Sequence, residues 1–227
     1  VVVHDWPGFS DQKQFGVDAA VHDWIFSLDA DERVSPQLKK EIEALRTATS
    51  KADGYRIPRL SLYMGRWIHH SGWYPDKQLR LFDRRKGRWN GRRIHESVEM
   101  NTASKVGDLD SDIYHFGVEN AAEHHKMIGE RYAPLGARHM FENGITTSRL
   151  RVALAGPIAF LRSYVVKLGF LDGFPGFCIA RFAAYHAYLK HLLLFEMQEA
   201  QLKELAHEVT TNEVPETSNQ ADLHRAK

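Results

Sequence analysis

The sequence has few of the features that assign a protein to a class directly. Only one of its 227 residues is a cysteine, Cys178, which excludes an internal disulfide and a thiolate metal cluster. The 30 Lys and Arg residues are balanced by 29 Asp and Glu, and the net charge of +1 gives no bulk attraction to nucleic acid. The chain starts with Val, and no charged segment with an apolar core follows, so we expect no signal peptide. No apolar run is as long as the roughly 18 residues that a membrane-spanning helix needs.

Motifs of several enzyme classes are also missing. The sequence contains no Gly-x-Ser-x-Gly elbow and no glycine-rich phosphate loop with a lysine. His69-His70 and His124-His125 are adjacent pairs, whose side chains point apart on a helix or strand, so we do not expect them to chelate a metal. A hydrophobic content of 43% and a charged content of 26% are ordinary for a globular protein of one or two domains.

The first third of the chain predicts a sheet. The apolar run 24–28 favours a strand buried on both faces, and residues 11–20 before it favour a helix capped by Ser10 or Asp11. With a strand at 1–3, this order indicates a βα unit in a mostly parallel sheet. A strand at 55–63 is broken by Pro58, which favours an edge or bulged position. The predicted fold class is α/β, a mixed sheet flanked by helices and followed by a helical segment.

The second half of the chain predicts helices, with a loop at 169–176 and one long helix over 177–209. These basic, aromatic and apolar segments suit the surface of an anionic membrane, and the alternative is a helical hairpin buried on the sheet or in a dimer. The predicted divisions are a sheet domain at 1–135, an amphipathic helical region at 136–208 and a polar, disordered tail at 209–227.

Acidic side chains follow the apolar run 24–28. Asp29 and Asp31 are two positions apart, so they share a face of an extended chain at the carboxyl end of the predicted strand. Carboxylates so placed suit Mg²⁺ or Mn²⁺ bound together with substrate phosphates. The alternatives are that Asp29 or Asp31 caps the helix that begins near Pro36, or that these residues lie in a solvated turn.

Three further clusters suit chemistry on a sugar or a phosphate. Glu96 beside His95 is a candidate general base, and its alternative is a surface ion pair. The rings of Trp73 and Tyr74 offer flat faces to a sugar, or else they belong to the core. Arg80 opens an arginine-rich stretch, and guanidinium groups match phosphate oxygens.

The order of these motifs resembles a known family. The stretch from Asp18 to Glu32, Asp18-x₄-Asp23-Trp24-Ile25-x₂-Leu28-Asp29-Ala30-Asp31-Glu32, is similar to the acidic-motif region of family 2 glycosyltransferases, which have a GT-A fold. The motifs that follow it are similar to the bacterial branch that adds glucose to the lipopolysaccharide inner core, and the resemblance covers residues 1–205. These motifs are Gly54-Tyr55-x-Ile57-Pro58-Arg59, Gly72-Trp73-Tyr74-Pro75-Asp76, Gln78-Leu79-Arg80-Leu81-Phe82, Trp89-x-Gly91-x₂-Ile94-His95-Glu96 and Leu168-Gly169-Phe170-Leu171-Asp172-Gly173.

The resemblance implies an inverting transfer of a sugar. Asp29 and Asp31 correspond to the motif that holds the donor's ribose and diphosphate through a divalent cation, Mg²⁺ or Mn²⁺. Glu96, in the pair with His95, corresponds to the base that deprotonates the acceptor hydroxyl. Arg80 would then help to neutralise the leaving diphosphate. The acceptor would be bordered by Trp73, Tyr74 and Asp76.

The resemblance also implies partners and a location. The expected donor is UDP-glucose, the acceptor is a lipid-linked saccharide, and the protein is expected at the cytoplasmic surface of the inner membrane, without a nucleic-acid partner. The family begins with a strand, helix and strand that hold the nucleobase, of which residues 1–3 match only the end, so we expect the chain as given to be inactive and the parent protein active. The alternatives are a transferase for another envelope or capsule glycan, and a non-catalytic membrane-associated module on a degenerate GT-A scaffold.

Overall fold

A computed structural model describes residues 2–47, 52–91, 96–118 and 120–212, the last seven by their backbone only. These residues form a mixed sheet with helices, which confirms the predicted α/β class. The elements in chain order are α1 (Phe9–Asp18), β1 (Trp24–Phe26), β2 (Glu32–Val34), α2 (Pro36–Leu45), β3 (Gly54–Tyr63), β4 (Arg66–Ile68), β5 (Asp76–Asp83), β6 (Gly87–Trp89), β7 (Val98–Met100), β8 (Val106–Asp108), β9 (Ile113–His115), α3 (Ala121–Lys126), α4 (Ala133–Glu142), α5 (Arg149–Leu161) and α6 (Gly173–Asn212). Single π-helical stretches, Met127–Tyr132 and Arg162–Val166, follow α3 and α5, and Gly169–Asp172 is a 3₁₀ turn.

The main sheet is built around β3. Its strand order is β1-β5-β3-β9-β2, and β4 and β8 also pair with β3. A second, two-stranded sheet joins β6 and β7. Among the described strands, parallel pairing is confined to β3 with β8 and β9, so the prediction of a mostly parallel sheet is wrong. β4 begins just after β3 ends, at Arg66 after Tyr63, and so short a connection allows only antiparallel pairing.

Two predicted strands near the start of the chain differ from the structure. Residues 2 and 3 lie outside any strand, and Val3 is 95% exposed. The run 24–28 forms only the three-residue β1, which lies at a sheet edge with Trp24 39% exposed, so burial on both faces is wrong. Ile25 and Phe26 nevertheless pack against two separate hydrophobic clusters, which accounts for the uninterrupted apolar run.

Pro58 lies in a central strand and not at an edge. The predicted bulge is present, between Tyr55 and Arg56 of β3. The pairing of β3 with β8 ends at Arg56, and its pairing with β9 begins at Arg59. Pro58 therefore falls in the gap between two partner strands, where the missing N–H of proline costs no ladder hydrogen bond on that side.

The helix caps differ from two of the predictions. The hydroxyl of Ser35 accepts a hydrogen bond from the backbone N–H of Leu38 at 3.1 Å, so Ser35 caps α2, and the alternative role of Asp29 or Asp31 as that cap is wrong. No side chain caps α1; the hydroxyl of Ser10 instead accepts from the N–H of Gly91 at 2.9 Å.

The predicted long helix is confirmed as α6, but the predicted loop at 169–176 is wrong, because a 3₁₀ turn and the start of α6 occupy it. The glycines there serve close packing, since a Cβ on Gly176 would collide with the carbonyl oxygen of Gly169. Residues 213–227 of the predicted disordered tail lie outside the described residues.

The chain divides into two compact units, Val1–His125 with Ala159–Ala183, and Lys126–Ile158 with Ala184–Lys227. The first unit contains the sheet and the clusters around Ile57, Phe82 and Tyr63. Among the described helices none is by itself long and apolar enough to cross a membrane, while one bent pair, Arg149–Val166 with Gly169–Leu205, passes that test by length and composition only.

Candidate functional site

The acidic stretch lies where the chain crosses the sheet. Residues 27–31 connect β1, at one edge of the sheet, with β2 at the other. This crossing brings Asp29, Asp31 and Glu32 to one side chain from each central strand: Arg80 of β5, Arg59 of β3 and His115 of β9. The strand order therefore places three basic groups beside three acidic ones.

Arg80 joins two of these carboxylates. Its Nη2 donates to Asp29 Oδ2 and to Glu32 Oε1, both at 2.7 Å. The side chains of Arg80 and Glu32 are 5% and 0% exposed, so this pairing is shielded from water. Glu32 also accepts from the backbone N–H of Asp29 at 3.0 Å, which closes the acidic turn. The side chain of Asp29 is 28% exposed, and Asp29 is positioned by its hydrogen bonds to the two members of the buried pair, Arg80 and Glu32.

Lys13 connects the acidic turn to the candidate base. Its Nζ lies 3.0 Å from Asp29 Oδ1, 3.8 Å from Glu96 Oε1 and 4.8 Å from the centre of the Trp89 ring. Glu96 therefore lies next to the acidic motif, although 67 positions separate it from Asp29 in the sequence. Sequence reasoning missed Lys13, because its position on α1 indicates only a solvent-facing polar residue.

Arg59 extends the arrangement to Asp76. Its Nε and Nη2 donate to Asp76 Oδ2 at 2.9 and 2.6 Å, and its Nη1 donates to Glu32 Oε1 at 3.4 Å. Burial by itself lowers the pKa of Arg59, but Asp76 and Glu32 outweigh it and raise that pKa. We call the connected set the charge network; its members are Lys13, Asp29, Arg80, Glu32, Arg59 and Asp76.

The charge network keeps Asp29 ionised. Burial acts to raise the pKa of the Asp29 carboxyl, but the charges and hydrogen bonds of Arg80 and Lys13 outweigh it and hold the pKa below its usual range. Asp29 therefore carries a negative charge at neutral pH, and both of its oxygens already contact a cation.

Asp31 contacts a different partner. Its Oδ2 lies 3.3 Å from His115 Nε2, and His115 Nδ1 lies 3.0 Å from the hydroxyl of Ser61. Burial and then the charge of Arg59 lower the pKa of His115 against the opposing effect of Asp31 and Glu32. The imidazole is thus neutral at neutral pH, beside a carboxylate whose side chain is 46% exposed.

The donor set fits a divalent cation only in part. Within the described ranges, no group of three or more His, Cys, Asp or Glu side chains is placed to hold a metal ion. Asp31 with the neutral His115 supplies two ligands, and Mg²⁺ commonly takes one or two carboxylates and completes its shell with substrate phosphates and water. Of the two predicted ligands, Asp31 has the available carboxylate, whereas Asp29 would have to release Lys13 or Arg80.

The predicted acceptor residues lie in and just after the loop between β4 and β5. Trp73 is half-buried, and its ring centre lies 5.5 Å from that of Tyr63 and 5.8 Å from that of His124. This contact agrees with the alternative that Trp73 belongs to the core. Burial, the charge of Asp112 and a hydrogen bond with it raise the pKa of Tyr74. Burial also raises the pKa of Asp112, and it outweighs the hydrogen bond with Tyr74, which lowers that pKa. His95 lies outside the described residues.

Comparison with known proteins gives a consistent picture. No protein-family model matches the chain. It is 27% identical over 195 residues to a lipopolysaccharide core biosynthesis glycosyltransferase, LpsC, of Rhizobium meliloti, covering 84% of this chain and 70% of the relative. Uncharacterized glycosyltransferases of Rickettsia prowazekii and Rickettsia bellii are each 26% identical, over 89% and 87% of this chain and 71% and 70% of their own length. The chain is therefore similar to curated glycosyltransferases along most of its length, which confirms the resemblance seen in the motifs and supports a transferase enzyme.

Proposed function

We propose that this protein is an inverting glycosyltransferase that moves glucose from UDP-glucose to a lipid-linked saccharide, the lipopolysaccharide inner core. The observation that carries the proposal is the approach of Glu96 to the acidic turn, bridged by Lys13 at 3.8 Å from Glu96 and 3.0 Å from Asp29. A base and an acidic donor motif have to meet in such an enzyme, and the similarity to LpsC supports the proposed class of acceptor.

The reaction needs one base and one leaving group. The Glu96 carboxylate takes the proton of the acceptor hydroxyl, and the freed oxygen forms a bond to the anomeric carbon of the donor sugar. The bond from that carbon to the diphosphate breaks on the opposite side, and its electron pair leaves with the nucleotide diphosphate. A single in-line displacement of this kind inverts the anomeric configuration.

The donor side is assigned to the acidic turn. Asp31 and His115 would hold a divalent cation, which when bound neutralises charge on the leaving diphosphate. Asp29 is assigned to the donor, held in place by Arg80 and Lys13. Arg80 acts through Asp29 in this proposal, because its charge is already shared by two carboxylates in a water-shielded position.

The same proposal places the protein at the cytoplasmic surface of the inner membrane, as a peripheral protein. A lipid-linked acceptor presents its saccharide at that surface. The basic and apolar helical segments of the second half of the sequence support this location.

The test is a transfer assay with the full-length protein. Turnover of UDP-glucose is measured on heptose-containing lipopolysaccharide core, with Mn²⁺ or Mg²⁺ and with a chelator, for wild type, Glu96→Gln and the control Glu43→Gln. Glu43 is an exposed carboxylate on α2. We expect transfer to require the cation and to fall about 100- to 10,000-fold in Glu96→Gln, the usual contribution of a general base, while Glu43→Gln matches wild type.

Each other outcome redirects the proposal. Transfer that survives in Glu96→Gln assigns the base to another carboxylate, such as Asp76. Transfer from a different nucleotide sugar or to another glycan changes the substrates but keeps the class. No transfer from any nucleotide sugar supports a non-catalytic module.

A further inference from the structure

A short segment of the first unit exposes an unusual amount of apolar surface. Between residues 161 and 177, from the end of α5 into α6, eight large apolar side chains are each at least 39% exposed, with Val166 at 72% and Phe174 at 66%. We call this the apolar surface; its members are Leu161, Val165, Val166, Leu168, Phe170, Leu171, Phe174 and Phe177. Clusters of this kind mark protein or membrane contacts, whereas single exposed apolar residues need no explanation.

The charges beside the apolar surface have one sign. Arg162 and Lys167 are exposed within the same segment, and the exposed Arg66 reaches it by donating from Nη2 to the carbonyl of Leu171 at 3.2 Å. The single acid between residues 161 and 177 is Asp172, which is 2% exposed and turned inward. The segment therefore presents apolar groups and cations without a solvent-facing carboxylate of its own.

The segment is fastened to the body of the first unit by polar contacts on its inner side. The Asp172 carboxylate accepts from the backbone N–H groups of His69 and His70 at 3.1 and 3.0 Å and lies 3.0 Å from His70 Nδ1. Ser71 donates its N–H to the Lys167 carbonyl at 2.9 Å, and the Ser163 hydroxyl donates to the Ser71 carbonyl at 3.3 Å. These polar groups of the segment thus face the body of the first unit, while the apolar side chains named above are exposed to solvent.

We infer that the apolar surface docks on an anionic phospholipid bilayer, with its phenyl and aliphatic side chains at the boundary of headgroups and acyl chains and with Arg162 and Lys167 at lipid phosphates. Helical segments with apolar and basic groups together bind such interfaces. A second copy fits less well, because a symmetric contact would bring Arg162 and Lys167 of both copies together without an exposed acid from this segment. The inference rests on the proposed function for the choice of a lipid-linked acceptor, and it adds the surface that meets the lipid.

Docking here also has a geometric consequence for the acceptor. The backbone of His69, His70 and Ser71 is bonded to the segment, and the same loop continues to Trp73 and Tyr74. The surface proposed to contact the bilayer is therefore hydrogen-bonded to the loop that is predicted to border the acceptor.

The test measures lipid binding by vesicle flotation of the purified chain. Phosphatidylcholine vesicles are used with and without phosphatidylglycerol, for wild type, Phe170→Ser with Phe174→Ser, and Arg162→Glu with Lys167→Glu. The controls are Val21→Ser, at a valine 88% exposed elsewhere, and Lys39→Glu with Lys40→Glu on the exposed side of α2. Circular dichroism confirms that each variant is folded.

We expect wild type to float with the anionic vesicles and the two surface variants to bind about tenfold or more weakly, while the controls stay within about twofold of wild type. Equal losses in surface and control variants would overturn the inference. So would wild type that stays with neither vesicle, or a dimer in analytical ultracentrifugation that Phe170→Ser with Phe174→Ser abolishes. Since no transfer is measured, failure here leaves the transfer assay unaffected, and a failed transfer assay does not change the flotation result.

Discussion

At the scale of single residues, Lys13 holds two carboxylates that would otherwise repel each other. Its ammonium lies 3.0 Å from Asp29 and 3.8 Å from Glu96, and its side chain is 20% exposed. Charges this close and this shielded interact more strongly than exposed surface pairs. We therefore treat Lys13 as a positioning residue for Glu96.

Lys13→Met is expected to lower kcat of the full-length protein about tenfold or more, because Glu96 loses the cation that holds it beside the acidic turn. Steady-state kinetics measures the change. Lys13→Arg keeps the charge and should recover most of the activity, and a kcat of Lys13→Met equal to that of wild type would contradict a positioning role for Lys13.

His124 makes the stability of the first unit depend on pH. Its ring stacks on Phe182 at 4.1 Å, and burial lowers the pKa of His124 to about 4, below the value of about 6.5 in an unfolded chain. The unfolded chain therefore binds the proton first, so this contribution to the free energy of unfolding is complete above pH about 6.5 and is lost as the pH falls toward 4. We expect His124→Leu to flatten the pH dependence in that window, measured by urea denaturation. An unchanged slope would contradict this.

The sequence predicted Asp29, Asp31 and Glu96 as candidate site residues because they stand in motifs with a recognisable order. It did not reveal Lys13, Arg59 or His115. Their contacts depend on the strand order and on where the chain crosses the sheet, and neither is encoded in local spacing. Asp29 and Asp31, expected to act together, contact different partners because they lie in a turn and not in a strand.

At the scale of elements, the 3₁₀ turn Gly169–Asp172 is joined to the loop after β4 by hydrogen bonds. Asp172 supplies the acceptors for two backbone N–H groups and faces one imidazole from that loop. The Asp172 side chain is 2% exposed, so its carboxylate is shielded from water while it accepts these bonds. The turn therefore orders the loop that leads to Trp73.

Asp172→Ala is expected to lower the free energy of unfolding by about 3 kcal/mol, because it removes the acceptor of three part-buried hydrogen bonds. Urea denaturation measures the change, and the exposed Asp110→Ala should stay within about 0.5 kcal/mol of wild type. A loss for Asp172→Ala no larger than that of Asp110→Ala would mean that the donors find other partners.

Elements with a strong local signal were predicted well. The helix beginning at Pro36, the strand around Gln78 and the long helix α6 are all present. The errors concern strand direction and the segment 169–176. There, glycines predicted a loop, but Gly169 and Gly176 permit a close approach of two backbone stretches, which only the tertiary structure reveals.

At the scale of the whole molecule, a net charge of +1 means that the proposed docking on an anionic bilayer depends on a local patch and not on the total charge. Raising the salt concentration from about 0.1 M to about 1 M shortens the Debye length from about 10 Å to about 3 Å. We expect flotation with anionic vesicles to weaken but to persist at high salt, since the apolar contacts are not screened. Complete loss at high salt would mean that the cations alone bind the lipid.

The charge network has a consequence for how this protein can change over generations. In this network each cation contacts at least one acid: Lys13 and Arg80 contact Asp29, Arg80 and Arg59 contact Glu32, and Arg59 contacts Asp76. Replacement of one member therefore leaves a partner of opposite charge unpaired. We therefore expect such positions to change together, because a single replacement leaves an unpaired charge. Homologues without an arginine at the position of Arg80 should also lack an acid at the position of Asp29 or Glu32. An alignment of many homologues would show this as covariation of the paired positions.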